Sequence, residues 1–225
     1  MHCTYLDMNS YPRKAHFDYF RSLAYPYAGL TVEIDITDFL AAVKGKGLPF
    51  FLSLCWCVGG AANAVPQLRQ RILDGKIVEF DRCPTSHTVA LPDGTYCYCT
   101  LDVGKPFFEY LSYAAQAQEE SKAQEESKAR SSIEETTEEA LSLFFVSTLP
   151  WVSYTGLVQP VPCPADSNPR ITWGRYHAAE GRVLLPVSIL CHHALVDGVH
   201  IAAFYDALRE RLAAATSLIQ GGSQP

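Results

Sequence analysis

With 225 residues, 48% of them hydrophobic and 19% charged, the chain can bury a sizeable core and has an ordinary globular composition. A formal net charge of −6 leaves no basic face to neutralise nucleic-acid phosphates, which argues against nucleic acid as a partner but allows a local basic cluster around a phosphate-bearing cofactor. Met1-His2-Cys3-Thr4-Tyr5 has no basic stretch leading into an apolar run, so no signal peptide is expected and the chain is expected to be cytoplasmic.

The pattern predicts a short helix over His16–Leu23, after Pro12-Arg13. Leu30 to Ile36 alternates, with Val32, Ile34 and Ile36 against Glu33 and Asp35, as a half-buried strand does. A helix follows from Thr37 to Val43, stopped by Gly45 and Gly47. The most apolar stretch, Leu48 to Val65, carries no charge, but it is short for a membrane span and holds Pro49, Asn63 and Gly59-Gly60. It therefore reads as a buried core helix over Pro49–Ala64, and no membrane contact is expected.

Lys76–Phe80 reads as a strand after the Asp74-Gly75 turn, and His87–Leu91 with Thr95–Leu101 as a hairpin around Pro92-Asp93-Gly94. Pro106 to Lys128 reads as a helix containing a tandem hexapeptide, Ala117–Lys122 and Ala123–Lys128, whose Glu and Lys residues pair across turns on a solvated surface. Leu143–Tyr154 is strand-like despite Pro150, Gly156–Pro169 a loop, and Arg170–Trp173 a short strand. Arg182–Cys191 is an apolar strand running into His192-His193. Val199–Ala215 is an amphipathic helix with Ile201, Phe204, Tyr205, Leu208 and Leu212 on one face. No linker divides the chain, so a single α/β domain with a large mixed sheet is expected over residues 1–219, with a disordered tail at 220–225.

Eight cysteines in a chain of this type need not pair. Cys55 and Cys57 on a helix point apart, Cys97 and Cys99 on a strand share a face, and neither spacing is that of a zinc site; buried free thiols are expected.

The segment Cys191 to His200 places an imidazole at a rigid strand end, with Asp197 four residues on from His193 and at the start of the last helix. Histidine titrates near neutrality, which suits it to remove a hydroxyl proton. Taken alone, the pattern also fits two satisfied core histidines and an aspartate that caps a helix. A metal set of His192, His193, Asp197 and His200 competes as well, but adjacent strand residues face opposite ways, so no metal is expected.

His192-His193-Ala194-x-x-Asp197-Gly198-x-His200 resembles the signature of the chloramphenicol acetyltransferase family, His-His-Ala-Val-x-Asp-Gly-Phe-His. Further matches run in the family's order: Arg13-Lys14-Ala15-His16-Phe17, Glu33 to Thr37, Phe145 to Tyr154 and Leu184 to Ser188. The resemblance implies a two-layer α/β sandwich and transfer of acetyl from the co-substrate acetyl-CoA directly to a hydroxyl. It implies His193 as general base, Ser147 as hydroxyl donor to the developing negative oxygen, and Thr172 acting through a bound water. Asp197 and Arg13 would form a structural ion pair that holds the turn carrying His193.

The resemblance further implies a homotrimer in which His193 comes from one chain and Ser147 from its neighbour. Phe20, Leu157, Gln159 and Val161 fall at acceptor-pocket positions, and Arg175 and Tyr176 at positions that touch coenzyme A. Here the chain departs from the family pattern. Leu157-Val158-Gln159-Pro160-Val161 replaces Phe-x-Leu-Asn-Val, and His87-Thr88-Val89-Ala90-Leu91 replaces Phe-Thr-Val-Phe-His. A polar Gln159 and fewer phenylalanines make a different cavity. Chloramphenicol is the first expected acceptor and another small amphipathic alcohol its rival; a catalytically silent ligand-binding homologue is the alternative from another class.

Overall fold

Alternating side chains and long apolar runs sort this chain into one large sheet covered on one side by helices. The computed structural model describes residues 2–127 and 137–222. In chain order these form β1 (Cys3–Tyr5), α1 (Lys14–Phe20), β2 (Tyr27–Asp35), α2 (Thr37–Gly45), α3 (Phe50–Ala64), a single 3-10 turn (Pro66–Arg69), β3 (Gln70–Leu73) and β4 (Lys76–Phe80). They continue with β5 (Thr85–Ala90), β6 (Tyr96–Leu101), α4 (Phe107–Ser127), α5 (Thr137–Leu141), β7 (Phe144–Leu149), β8 (Arg170–Gly174), β9 (His177–Ala179), β10 (Arg182–His192) and α6 (Gly198–Gly221).

The main sheet has seven strands in the order β2-β10-β8-β7-β5-β6, with β9 paired to β10. It is mixed: β7 runs parallel to β5 and β8, while the remaining pairs are antiparallel. A separate sheet joins β1, β4 and β3. Strand period two sends Val146, Ile171, Val187 and Ile189 to one face, where they merge with α2, α3, α4 and α6 in a single core. The opposite face carries Ser147, Thr172, Ser188 and Thr31 in one row across four strands. The architecture is the α/β sandwich that the sequence predicts.

The uncharged stretch is a core helix. Leu52 through Ala62 of α3 are all buried. A Cβ on Gly59 would stand 2.7 Å from Val103 and 2.8 Å from Thr85, so only glycine lets α3 lie this close to β5. None of the described helices is long and apolar enough to cross a membrane.

Several boundaries differ from expectation. The strand predicted over Leu143–Tyr154 stops at Leu149, because Pro150 lacks the N–H a ladder needs and the chain turns there. The last helix continues to Gly221, taking in Gln220 and Gly221 of the expected tail, because Thr216 and Ile219 extend its buried stripe; residues 223–225 lie outside the described residues. The first helix starts earlier, at Lys14, and ends at Phe20. In the acidic repeat, Lys122 pairs with Glu119 at 2.7 Å, as expected for a solvated helix, while Lys128 lies outside the described residues. None of the eight cysteines, all of them among the described residues, is in a disulfide; Cys163 is exposed and Cys3 half-buried, the other six buried.

Candidate active site

β10, the long central strand, ends in a tight turn locked by its own backbone: the N–H groups of Leu195 and Val196 both donate to the His192 carbonyl, at 3.0 and 3.1 Å. His192 is buried, accepts from the Ala194 N–H through Nδ1 at 3.3 Å, and has Tyr27 across its edge. Burial pushes its pKa down to about 4, so the ring is neutral near pH 7.

His193, the next residue, is held at three points. Its backbone N–H donates to the Pro26 carbonyl at 2.7 Å, and Phe20 from the end of α1 stacks on its ring with centroids 3.8 Å apart. Its Nδ1 lies 2.9 Å from the Val196 carbonyl oxygen. A carbonyl only accepts, so Nδ1 must carry the hydrogen, and the neutral ring presents the lone pair of Nε2. A base with this tautomer fixed is ready to take a proton at Nε2.

Asp197 closes the turn and caps α6. Its carboxylate accepts from the Val199 N–H at 3.1 Å, while its own N–H donates to Nδ1 of His200, also at 3.1 Å. His200 Nδ1 also lies 3.1 Å from an Asp197 oxygen. Because a backbone N–H points at that nitrogen and burial lowers the His200 pKa, the contact belongs to the cap and not to an ion pair. The partner of the carboxylate is Arg13, whose Nη1 contacts Oδ2. Burial works against the charge on Asp197, but the Arg13 hydrogen bond and charge, with the Val199 N–H, hold the carboxyl below its ordinary value. The expected Arg13–Asp197 pair is thus present, tying the segment before α1 to the turn after β10.

Ser147 and Thr172 sit side by side in the register of β7 and β8, and both line a cleft of about 580 Å³. Leu157, Gln159, Thr88, Tyr98 and Arg170 line it too. Ser147 is exposed, and its hydroxyl has no protein partner among the described residues. The same row of the sheet continues through Ser188 and Thr31, whose hydroxyls are 2.7 Å apart. Tyr154 crosses over this row, donating to the Thr172 carbonyl at 2.9 Å. A Cβ on Gly174 would stand 2.8 Å from the Tyr154 ring, so glycine makes room for that crossing.

His193 does not line this cleft. It lies two strands over from Ser147 and five residues past the Ser188 row. At ~3.3 Å per residue and ~4.8 Å per strand, the two are roughly 19 Å apart within one chain. Of the expected pocket residues, Leu157 and Gln159 join Ser147, Phe20 joins His193, and Val161 is half-buried outside the cleft. Arg175 and Tyr176 line a second, apolar cleft of about 400 Å³ with Phe50, Phe51 and Trp173, and Lys44 Nζ stands 5.3 Å over the Tyr176 ring.

Sequence reasoning missed Arg170 as a cleft residue and Tyr27 as a neighbour of the turn. An arginine at the start of an apolar strand was the one available signal; a tyrosine on a strand carries none. No cluster of three or more metal-ligating side chains occurs among the described residues. Of the competing metal set, His192 Nδ1 and His200 Nδ1 both accept from backbone N–H groups.

Known proteins resemble this chain over most of its length. A sequence model of the family described as chloramphenicol acetyltransferase matches residues 1–209. The chain is 30% identical over 210 residues to chloramphenicol acetyltransferases of Klebsiella sp and Escherichia coli, covering 92% of this chain and 92% of each relative. A chloramphenicol acetyltransferase of Streptomyces acrimycini is 29% identical over 211 residues, covering 92% of this chain and 93% of the relative. Among solved structures, a chloramphenicol acetyltransferase superposes with a TM-score of 0.80 at 22% identity, covering 94% of this chain and all of that one. An Azotobacter vinelandii dihydrolipoamide acetyltransferase shares the fold more distantly, with a TM-score of 0.62 at 16% identity over 92% of this chain and 88% of its own. The chain belongs to the chloramphenicol acetyltransferase family, a family of acyltransferases.

Proposed function

We propose that this chain, as a single domain over residues 1–219, transfers the acetyl group of acetyl-CoA to a hydroxyl of chloramphenicol and so inactivates the antibiotic. The observation that carries the reading is the His193 Nδ1 contact with the Val196 carbonyl, which leaves Nε2 as a base. In this scheme Nε2 takes the acceptor hydroxyl proton while that oxygen attacks the thioester carbonyl, with no acyl-enzyme. The tetrahedral oxygen gains negative charge, and the free Ser147 hydroxyl donates to it, with Thr172 assisting through water; such a donor is worth about 3 kcal/mol. Collapse breaks the C–S bond, and the imidazolium returns its proton to the departing thiolate.

Within one chain His193 and Ser147 are too far apart to share a substrate, which supports an active site completed by a neighbouring subunit, in a homotrimer. The second cleft, with Arg175, Tyr176 and Lys44, suits coenzyme A: an apolar channel for its arm beside cations for its phosphates. Gln159 and Arg170 in the acceptor cleft favour a second reading, in which the acceptor is a more polar alcohol than chloramphenicol. The deciding experiment measures free thiol released from acetyl-CoA with and without chloramphenicol, beside His193→Ala. Acceptor-dependent release lost in the variant supports the proposal. Binding of chloramphenicol with no release from any alcohol tested would leave a silent ligand-binding protein.

A further inference from the structure

The acceptor cleft contains a guanidinium with work left to do. Arg170 opens β8 two residues before Thr172, so both side chains project from the same face, about 7 Å apart along the strand. The loop before β8 supplies its anchor: Nη1 donates to Asp166 Oδ1 at 2.8 Å and to the Asn168 carbonyl at 3.2 Å, while Nη2 donates to Asp166 Oδ2 at 2.7 Å. The Phe145 ring stacks against the guanidinium at 5.5 Å, and the Tyr27 hydroxyl, 2.9 Å from Asp166 Oδ1, braces the carboxylate from β2. The side chain is only 14% exposed.

Arginine has five N–H groups in a plane, arranged as two forks. Asp166 occupies the fork formed by Nη1 and Nη2. The other fork, Nε–H with the second Nη2–H, has no acceptor among the described residues. A substrate that displaced water from the cleft would leave those donors unpaired, a cost of ~1–3 kcal/mol unless it accepts from them. Their spacing matches two oxygens on one atom, and Asp166 already offsets the positive charge, so the fork suits a neutral nitro group as well as a carboxylate.

We propose that Arg170 is a specificity-determining residue of the acceptor cleft, recognising a planar two-oxygen group on the alcohol through its Nε–Nη2 edge. This rests on the acetyl-transfer reading above. It deepens that reading by naming the acceptor class: alcohols carrying a nitro or carboxylate group.

The test compares three acceptors, namely chloramphenicol, its analogue with hydrogen in place of the nitro group, and the analogue with carboxylate there. Each is assayed with the wild type, Arg170→Lys and Arg170→Leu. The wild type is expected to favour the two-oxygen acceptors in kcat/KM by roughly 10- to 100-fold, the worth of a charge-assisted pair of hydrogen bonds. That ratio should collapse towards one in both variants. Lysine keeps the cation but not the fork, so its failure to preserve the ratio separates fork recognition from charge alone. A wild-type ratio near one, or an equal loss on all three acceptors in Arg170→Lys, overturns the proposal. Equilibrium binding of the same acceptors to wild type without acetyl-CoA separates the two claims. A binding preference without transfer sinks the enzymatic reading and keeps Arg170, whereas transfer without preference does the reverse. Wild type alone decides this arm, so it stands even if a variant fails to fold.

Discussion

The Nδ1 atom of His193 lies 2.9 Å from the carbonyl oxygen of Val196, three residues later in the same turn. The imidazole is therefore oriented by backbone and not by a carboxylate, and Asp197 acts on the turn and not on the ring. Removing the imidazole should cost chemistry more than fold. His193→Ala is expected to lower kcat ~10²- to 10⁴-fold, the usual contribution of a general base, with little change in thermal unfolding. Stopped-flow detection of released thiol checks the first part and calorimetry the second.

If the catalytic pair is shared between chains, two inactive variants should rescue each other. His193→Ala and Ser147→Ala are expected to be strongly impaired alone. In mixed trimers formed at equal ratio, about one site in four pairs an intact His193 with an intact Ser147 across a boundary, so activity should recover to about a quarter of wild type. No recovery after verified subunit exchange would place both residues in one chain's site, against the 19 Å separation estimated above.

Arg13 and Asp197 bridge two segments far apart in sequence, and their side chains are 20% and 29% exposed. Breaking the pair leaves a partly buried charge, so Arg13→Met or Asp197→Ala should each destabilise by about 1–3 kcal/mol, and the double variant by less than the sum. Denaturant unfolding of all four proteins closes the cycle; strict additivity would show that the contact is not energetically coupled. The Asp197 carboxyl titrates below its ordinary value in the fold. Its contribution is thus present above the unfolded carboxylate pKa and disappears as pH falls through the folded one.

Two buried histidines give stability a different pH dependence. Burial pushes both His87 and His192 down to about 4. The unfolded chain binds their protons near 6.5 and the folded chain does not, so stability is fully present above that pH and falls as pH drops from about 6.5 towards 4. Each group adds a slope of up to ~1.4 kcal/mol per pH unit in that window. His192→Gln should flatten the curve of unfolding midpoint against pH between 4 and 7; an unchanged slope would mean that His192 is not buried in its neutral form.

The linear pattern of residues by itself determined where most of the large elements lie and which histidine and aspartate to examine. Period two in β2, an apolar run in β10, an uncharged stretch with a glycine pair in α3, and a stripe from Ile201 to Leu212 in α6 are local signals that burial converts directly into structure. The His192-to-His200 segment was legible for the same reason, because a strand, a turn and a capped helix adjoin in sequence. Short strands such as β1, β3 and β9 were not, since three or four residues carry no period and exist only because a partner strand pairs with them. Tertiary structure alone set Thr172 beside Ser147, Phe20 on the His193 ring, and Arg170 in the cleft with one fork filled and one free. Each of these depends on strand register or on contacts between distant segments, which side-chain chemistry along a sequence does not encode locally. The separation of His193 from Ser147 follows likewise from strand order, and it turns a list of expected catalytic residues into a question about neighbouring subunits.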